Sequence, residues 1–322
     1  MKQIHWNRGA LGAARVTILV ALWAAGSLLA APLPPPKRPP EPPTPVYVTI
    51  EEAGPDYAVQ GEYAGEGWGA QVVALGKGEF AAVLLPGGLP GAGWSGKEKL
   101  TLTGKREGDR LPLQGAGTAE IRDGQMTGKT AAGQTFALRR TVRQSPTLGA
   151  PPPPGAVVLF ADRTPVPATS QQDISDGTLH VEFVTPFRPE ARGQARGNSG
   201  VIFLKRYEVQ VLDSFGLEGK DNECGGIYKI AAPRVNMCFP PLVWQTYDIE
   251  FTAPKFDAAG QKVAEACLTV RHNGVLIHDN VAVPRPTLGK IAETPAATGP
   301  LTLQGHGNPV FYKNIWFVPE KK

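Results

Sequence analysis

The chain has 322 residues, with 33 Lys+Arg against 29 Asp+Glu for a formal charge of +4. The basic residues are scattered rather than gathered into one stripe, which argues against a nucleic-acid surface. With 38 Gly, 32 Pro and 42% hydrophobic residues, the chain favours turns and short strands over long helices and can bury one large core or two modest ones.

In chain order, Arg8 and Arg15 precede an apolar run over residues 16–25, and small residues follow at Ala24, Gly26, Ala30 and Ala31. That is the layout of a signal peptide. The run falls short of the roughly 20 residues needed to span a bilayer and leads directly into proline. Residues 1–31 are therefore expected to be a cleaved signal. The mature chain then starts between Gly26 and Pro32, is periplasmic or extracellular, and keeps no stable membrane insertion.

Residues 32–46 are dominated by proline and should extend as a polyproline spacer. A second proline-rich stretch, 145–155, divides the rest into segments of about 100 and 170 residues, both of domain size. The sequence thus predicts a β-rich N-terminal domain over 47–144 and a second domain over 156–319.

The first segment contains five short strand-like runs: Tyr47-Val48-Thr49-Ile50, Gln71-Val72-Val73-Ala74-Leu75, residues 80–85, Leu100-Thr101-Leu102-Thr103 and Thr135-Phe136-Ala137-Leu138. Turns such as Pro86-Gly87-Gly88 and Asp123-Gly124 separate them, as hairpins require. No acid, base or nucleophile stands out, so this segment reads as an accessory β-domain.

The second segment alternates more clearly. In residues 178–184, Leu179, Val181 and Phe183 share one face of a strand while His180 and Glu182 share the other. Over 203–213, Tyr207, Val209 and Val211 oppose Arg206, Glu208 and Gln210. Asn273-Gly274, between two apolar runs, predicts a tight hairpin. Export would place Cys224, Cys238 and Cys267 in an oxidising compartment. One pair is expected, Cys224 with Cys238, stabilising by about 3 kcal/mol through closure of a short loop; Cys267 reads as a small buried strand residue.

Several ordered motifs carry a family likeness. They are residues 198–204, 206–216, Cys224-Gly225-Gly226-Ile227-Tyr228, residues 244–249, Asn273-Gly274-Val275 with His278, residues 303–310 and Asn314-Ile315-Trp316. Together, over roughly 156–319, they resemble the 3-keto-disaccharide hydrolase domain family, once a domain of unknown function. The resemblance implies an all-β fold, a concanavalin-A-like jelly-roll sandwich, here with the additional N-terminal β-rich segment. That family usually has extra strands before its first sheet strand, and residues 120–130 resemble the displaced piece.

The resemblance also implies cleavage of glycosides whose C3 hydroxyl has been oxidised to a ketone. A C3 ketone acidifies the C2 proton, so one base and a group that supports the enolate suffice to eliminate the C1 substituent. Glu208 is the preferred base, Arg206 the preferred enolate partner, and His306, between glycines, a third catalytic candidate. Ordinary glycoside hydrolysis would need a second carboxylate, which Glu182 or Asp213 can supply. Tyr228 and Trp244 can stack on a sugar ring, and Asn198 and Gln210 offer amides to hydroxyls. His180, Glu182 and Asp213 complete the substrate-binding candidates.

Bland readings stand beside these. An arginine and a glutamate on one strand face often form only a salt bridge, large aromatics are more often core, and Asn198 can simply shape a turn. No cofactor is required by the sequence; a divalent metal shared by His180, Glu182, Glu208 or His306 is compatible with it, but no ligand spacing demands one. The main alternative to an enzyme is a non-catalytic, lectin-like carbohydrate-binding module, because sandwiches serve both. A structural envelope protein is a third. A buried ionisable residue inside the cleft would favour the enzyme.

Overall fold

Period-2 runs punctuated by glycine build strands almost throughout. The computed structural model describes residues 44–287 and 296–321. The expected signal peptide, and the proline-rich stretch as far as residue 43, lie outside the described residues.

After a short helix α1 (Gly54–Val59), eight strands follow: β1 (Gly61–Gly65), β2 (Trp68–Gly76), β3 (Glu79–Pro86), β4 (Leu100–Lys105), β5 (Arg110–Gly115), β6 (Gly117–Arg122), β7 (Gln125–Thr130) and β8 (Thr135–Thr141). Each pairs antiparallel with the next and β8 returns to β1, closing a barrel. Two of its turns are the two-residue kind that needs positive φ at both positions: Lys77-Gly78 at 55° and 75°, and Asp123-Gly124 at 49° and 69°. Tyr63, Val72, Phe80, Leu84, Leu102, Leu111, Met126 and Leu138 fill the interior. Strand β2 is buried on both faces because Val73, on its outer side, joins the core of the second half of the chain.

Two expectations for this segment change. Tyr47-Val48-Thr49-Ile50 makes no strand; Tyr47 forms one isolated bridge to Phe187, stacks its ring 5.8 Å from that side chain, and the chain then turns. Residues 120–130 do not complete the sandwich. They form β6 and β7, whose pairing with each other and with β5 and β8 is needed to close the barrel.

The second half contains β9 (Val157–Phe160), β10 (Thr164–Pro165), β11 (Ala168–Ile174), β12 (Gly177–Val184), β13 (Ser199–Phe203), β14 (Tyr207–Val211), β15 (Gln245–Thr252), β16 (Lys255–Phe256), β17 (Lys262–Ala264), β18 (Ala266–His272), β19 (Val275–Val283), β20 (Gly299–Leu303) and β21 (Phe311–Pro319). A seven-stranded sheet runs β10-β21-β12-β15-β18-β19, with β9 also on β21. A four-stranded sheet runs β11-β20-β13-β14, and β16 pairs with β17 apart from both. The fold is all-β, an antiparallel sandwich. Leu179, Val181, Phe183, Tyr247, Ile249 and Phe251 of the larger sheet pack against Val201, Phe203, Val209, Val211 and Leu303 of the smaller. Burial on this scale, at about 25 cal/mol per Å² of apolar surface, is the main stabilising term.

Residues 145–150, expected to belong to a linker, cross the outer face of the seven-stranded sheet as a hydrogen-bonded strap. Ser145 Oγ lies 2.6 Å from Thr246 Oγ1, Thr147 donates to Asp248 Oδ2 at 2.7 Å, and Gly149 N donates to Glu182 Oε1 at 2.6 Å. The carbonyl of Ala150 accepts from Asn314 Nδ2 at 2.9 Å and Trp316 Nε1 at 3.2 Å. The Asn273-Gly274 turn joins β18 to β19 as expected, and its glycine is also a seat for the strap: a Cβ on Gly274 would lie 2.5 Å from Pro146 Cγ.

The expected Cys224–Cys238 disulfide is not present; all three cysteines are free. The two buried thiols are neighbours that instead find polar partners. Cys224 Sγ lies 3.2 Å from the Tyr247 hydroxyl, and Cys238 Sγ donates to the Leu212 carbonyl at 3.5 Å. Burial, and then the adjacent Cys224, push the Cys238 thiol well up, towards its protonated form. Cys267 is only half-buried in β18.

Candidate functional site

Alternation along β14 decides the site. Tyr207, Val209 and Val211 enter the core, so Glu208 and Gln210 stand on the outer face of the four-stranded sheet. The strand's outer edge is capped by a returning loop: Gln210 N donates to Gly226 O, Gly225 N to Gln210 O and Tyr228 N to Glu208 O, at 2.8, 3.0 and 3.1 Å. This ladder brings Tyr228 beside Glu208. On the other side Gly200 of β13 is paired with Gln210, and Gln304, just past β20, donates its N–H to the Gly200 carbonyl at 2.9 Å. Thr287 fixes the start of the strand, accepting from Glu208 N at 2.9 Å.

These elements surround an open cavity of about 270 Å³ lined by Gln194, Asn198, Glu208, Gln210, Tyr228, Gln304 and His306. Gln210 Nε2 donates to Asn198 Oδ1 at 2.7 Å, ordering two of the amides. Two buried acceptors, Glu208 Oε1 and Gln304 Oε1, take no hydrogen bond among the described residues. Glu208 is 2% exposed. Burial alone pushes its carboxyl up to about 7, where it exchanges a proton near neutral pH.

Five of the ten candidate site residues thus meet in one cavity: Glu208, Gln210, Asn198, Tyr228 and His306. The other five do not. Arg206 precedes β14 in a tight turn, with Leu204 and Lys205 at φ of 53° and 58°. The turn breaks the alternation, so Arg206 lines a separate cavity with Phe256 and Lys262 and donates to Leu204 O at 3.0 Å. Burial is the only cause of the Glu208 shift, so the expected support of its charge by Arg206 is not seen among the described residues. Asp213 is buried in an ion pair with Arg196 at 2.7 Å and accepts from Phe215 N, which makes it a loop anchor.

Glu182 and His180 lie on β12 of the seven-stranded sheet, and Trp244 immediately precedes its β15. His180 Nδ1 lies 2.6 Å from Asp248 Oδ1 and its ring stacks on Trp316 at 4.9 Å. Glu182 accepts from Gly149 N and Asn314 Nδ2 under the strap, and Lys313 Nζ stands 4.3 Å over the Trp244 ring. Among the described residues no group of three His, Cys, Asp or Glu is arranged to hold a metal ion.

The sequence reading missed Gln194 and Gln304. Gln304 lay in a motif already singled out, residues 303–310; Gln194 sits in a short 3-10 turn, Gly193–Ala195, with no sequence signal of its own. A second cavity, of about 200 Å³, lies between barrel and sandwich beside Tyr57, Val142, Pro240 and Val243. Of its charged residues, Arg143 and Glu62 are joined at 2.7 Å and Arg140 donates to the Gln60 carbonyl at 2.9 Å.

No curated protein matches the chain. Three solved structures from Parabacteroides distasonis, provisionally named as glycosyl hydrolases, each align with 52% of it. They do so at 28%, 19% and 14% identity, with TM-scores of 0.47, 0.35 and 0.35, over 84%, 89% and 81% of their own lengths. The 3-keto-alpha-glucoside-1,2-lyase-like domain family matches residues 158–318, half of the chain. That span holds the whole Glu208 cavity, and the chain belongs to this family of carbohydrate-active domains.

Proposed function

We propose that the protein is an exported enzyme that cleaves 3-keto-glycosides, with Glu208 as the base that removes the C2 proton. The observation that carries this is a buried carboxyl of raised pKa in an amide-lined cavity. A lectin has no use for such a group, since an unpaired buried carboxyl costs stability without adding to binding. Catalysis does, because a base titrating near the working pH combines availability with driving force.

In the reaction, Glu208 takes the C2 proton, electrons flow onto the C3 oxygen as an enolate, and their return expels the C1 substituent, leaving a 1,2-unsaturated 3-keto sugar. With Arg206 turned away, the enolate and the leaving group fall to Tyr228 and the exposed His306 at the rim. The unpartnered oxygen of Gln304 can accept from a sugar hydroxyl. Export rests on the Arg-flanked apolar run at the N-terminus.

Incubating the protein with a 3-keto-glucoside and with its unoxidised parent, and following both by mass spectrometry, tests the reading. Turnover of the keto sugar alone is expected. Comparable cleavage of both would transfer the site to a two-carboxylate hydrolysis and end the proposal.

A further inference from the structure

Gly200 lies on β13 directly beneath the cavity. Its φ lies outside the positive range that side chains avoid, so the chain does not need glycine here for conformation. What it needs is room. A Cβ at this position would lie 2.1 Å from Glu208 Oε1, 2.8 Å from Cδ and 2.9 Å from Cγ. All three of these nearest neighbours belong to a single side chain. Other strand glycines differ: at Gly104 an added Cβ meets the Pro112 carbonyl oxygen at 1.9 Å, and backbone cannot move aside.

We propose that Gly200 is a positioning residue of this site, its bare Cα being the seat on which the Glu208 carboxyl lies, held down against β13 and shielded from water. The oxygen resting on Gly200 is the one that accepts no hydrogen bond among the described residues. A side chain at position 200 lifts the carboxyl off the sheet into the open part of the cavity, where water can reach it. The fold tolerates this, because the atoms that must move are the free end of a flexible side chain. The catalytic consequence rests on the proposed role of Glu208; the positional one does not.

The titratable groups facing Glu208 are Tyr228 and His306 from the surrounding loops, with Tyr312 of β21 near enough to feel its charge. Among the described residues, β13 and the end of β20 bring Gly200 and the amide of Gln304 to it, neither of them titratable. Burial is therefore the lever that Gly200 controls.

The test labels glutamate δ-carbons with 13C in the full chain and follows their titration by NMR in wild type, Gly200→Ala and Glu208→Gln, the last identifying the Glu208 signal by its loss. Wild type should titrate near 7, as burial dictates, and Gly200→Ala at least about one pH unit lower, towards the ordinary carboxylate range. On a 3-keto-glucoside, Gly200→Ala should lose about tenfold or more in kcat with little change in KM. An unchanged Glu208 titration in Gly200→Ala overturns the inference. If the titration shifts but wild type does not turn over the keto sugar, the positioning stands and the substrate reading falls.

The pair Glu208→Ala and Gly200→Ala/Glu208→Ala covers the case where Gly200→Ala folds poorly. With the glutamate truncated, the three atoms nearest the added methyl are gone, so the double variant should match Glu208→Ala in stability. A Gly200→Ala penalty that persists in that background would show the space is needed for something else and would also overturn the inference.

Discussion

The outer faces of the two sheets carry the same local pattern and opposite chemistry. On β12, His180 and Glu182 alternate with core residues; on β14, Glu208 and Gln210 do the same. Both glutamates are buried, at 0% and 2% exposure. The first lies beneath residues 145–150; its Oε1 accepts hydrogen bonds from Gly149 N and Asn314 Nδ2, and its Oε2, which accepts none among the described residues, lies 3.5 Å from Lys313 Nζ in an ion pair. The second borders an open cavity, its Oε1 is unpartnered among the described residues with burial as the sole cause acting on its charge, and its proton affinity is raised. A buried carboxylate whose partners are supplied anchors structure, whereas one left short of partners is destabilised in its charged form and so becomes useful as a base.

Substitution at the two glutamates separates the faces most sharply. Glu208→Gln should cut kcat on a 3-keto-glucoside by about 10²–10⁴-fold while leaving binding intact, the range for loss of a general base. Glu182→Gln should stay within about threefold of wild type in steady-state assays. Equal losses at both positions would erase the distinction.

Stability should divide them the other way. Glu182→Ala leaves the Gly149 N–H without its acceptor, removes one of the two acceptors of the Asn314 amide and the partner of Lys313, and should cost about 2–4 kcal/mol in urea unfolding. Glu208→Gln should be stabilising, and only at higher pH. The folded carboxyl takes its proton at about 7 against an ordinary 4.5, so its contribution is fully present below 4.5 and is lost as pH rises through 7. The variant should gain about 2–3 kcal/mol over wild type at pH 8 and nothing at pH 4. A gain independent of pH would mean that burial does not disfavour the ionised form.

The smallest effect concerns the strap. Thr147→Ala removes its hydrogen bond to Asp248 and the contact with Thr246 at 2.8 Å. A loss of about 1 kcal/mol and faster proteolysis near the exposed prolines 151–154 are expected, with kcat unchanged. A fall in kcat would couple the strap to the cavity on the opposite sheet.

Much of this was legible in the chain itself. Period-2 alternation set which residues of β12 and β14 face the core, and Asn273-Gly274 and Asp123-Gly124 announced their turns, because both signals depend only on neighbours in sequence. The same locality misled at Arg206: a continuous alternation over 203–213 hid the turn at Leu204 and Lys205, which returns the chain antiparallel and points the arginine elsewhere. Tyr47 failed as a strand because its partner, Phe187, is a single bridge 140 residues away in sequence.

The sequence by itself determined an all-β chain, the sandwich family of its second half, and a glutamate on an outward face of β14. Tertiary structure alone decided that residues 145–150 cover His180 and Glu182, that β6 and β7 close a barrel, and that Gly200 makes room for the Glu208 carboxyl. Which side of a strand a residue occupies follows from backbone geometry two residues apart. What lies over that side, and hence whether a buried charge is satisfied or left poised, depends on segments that only the folded chain brings together.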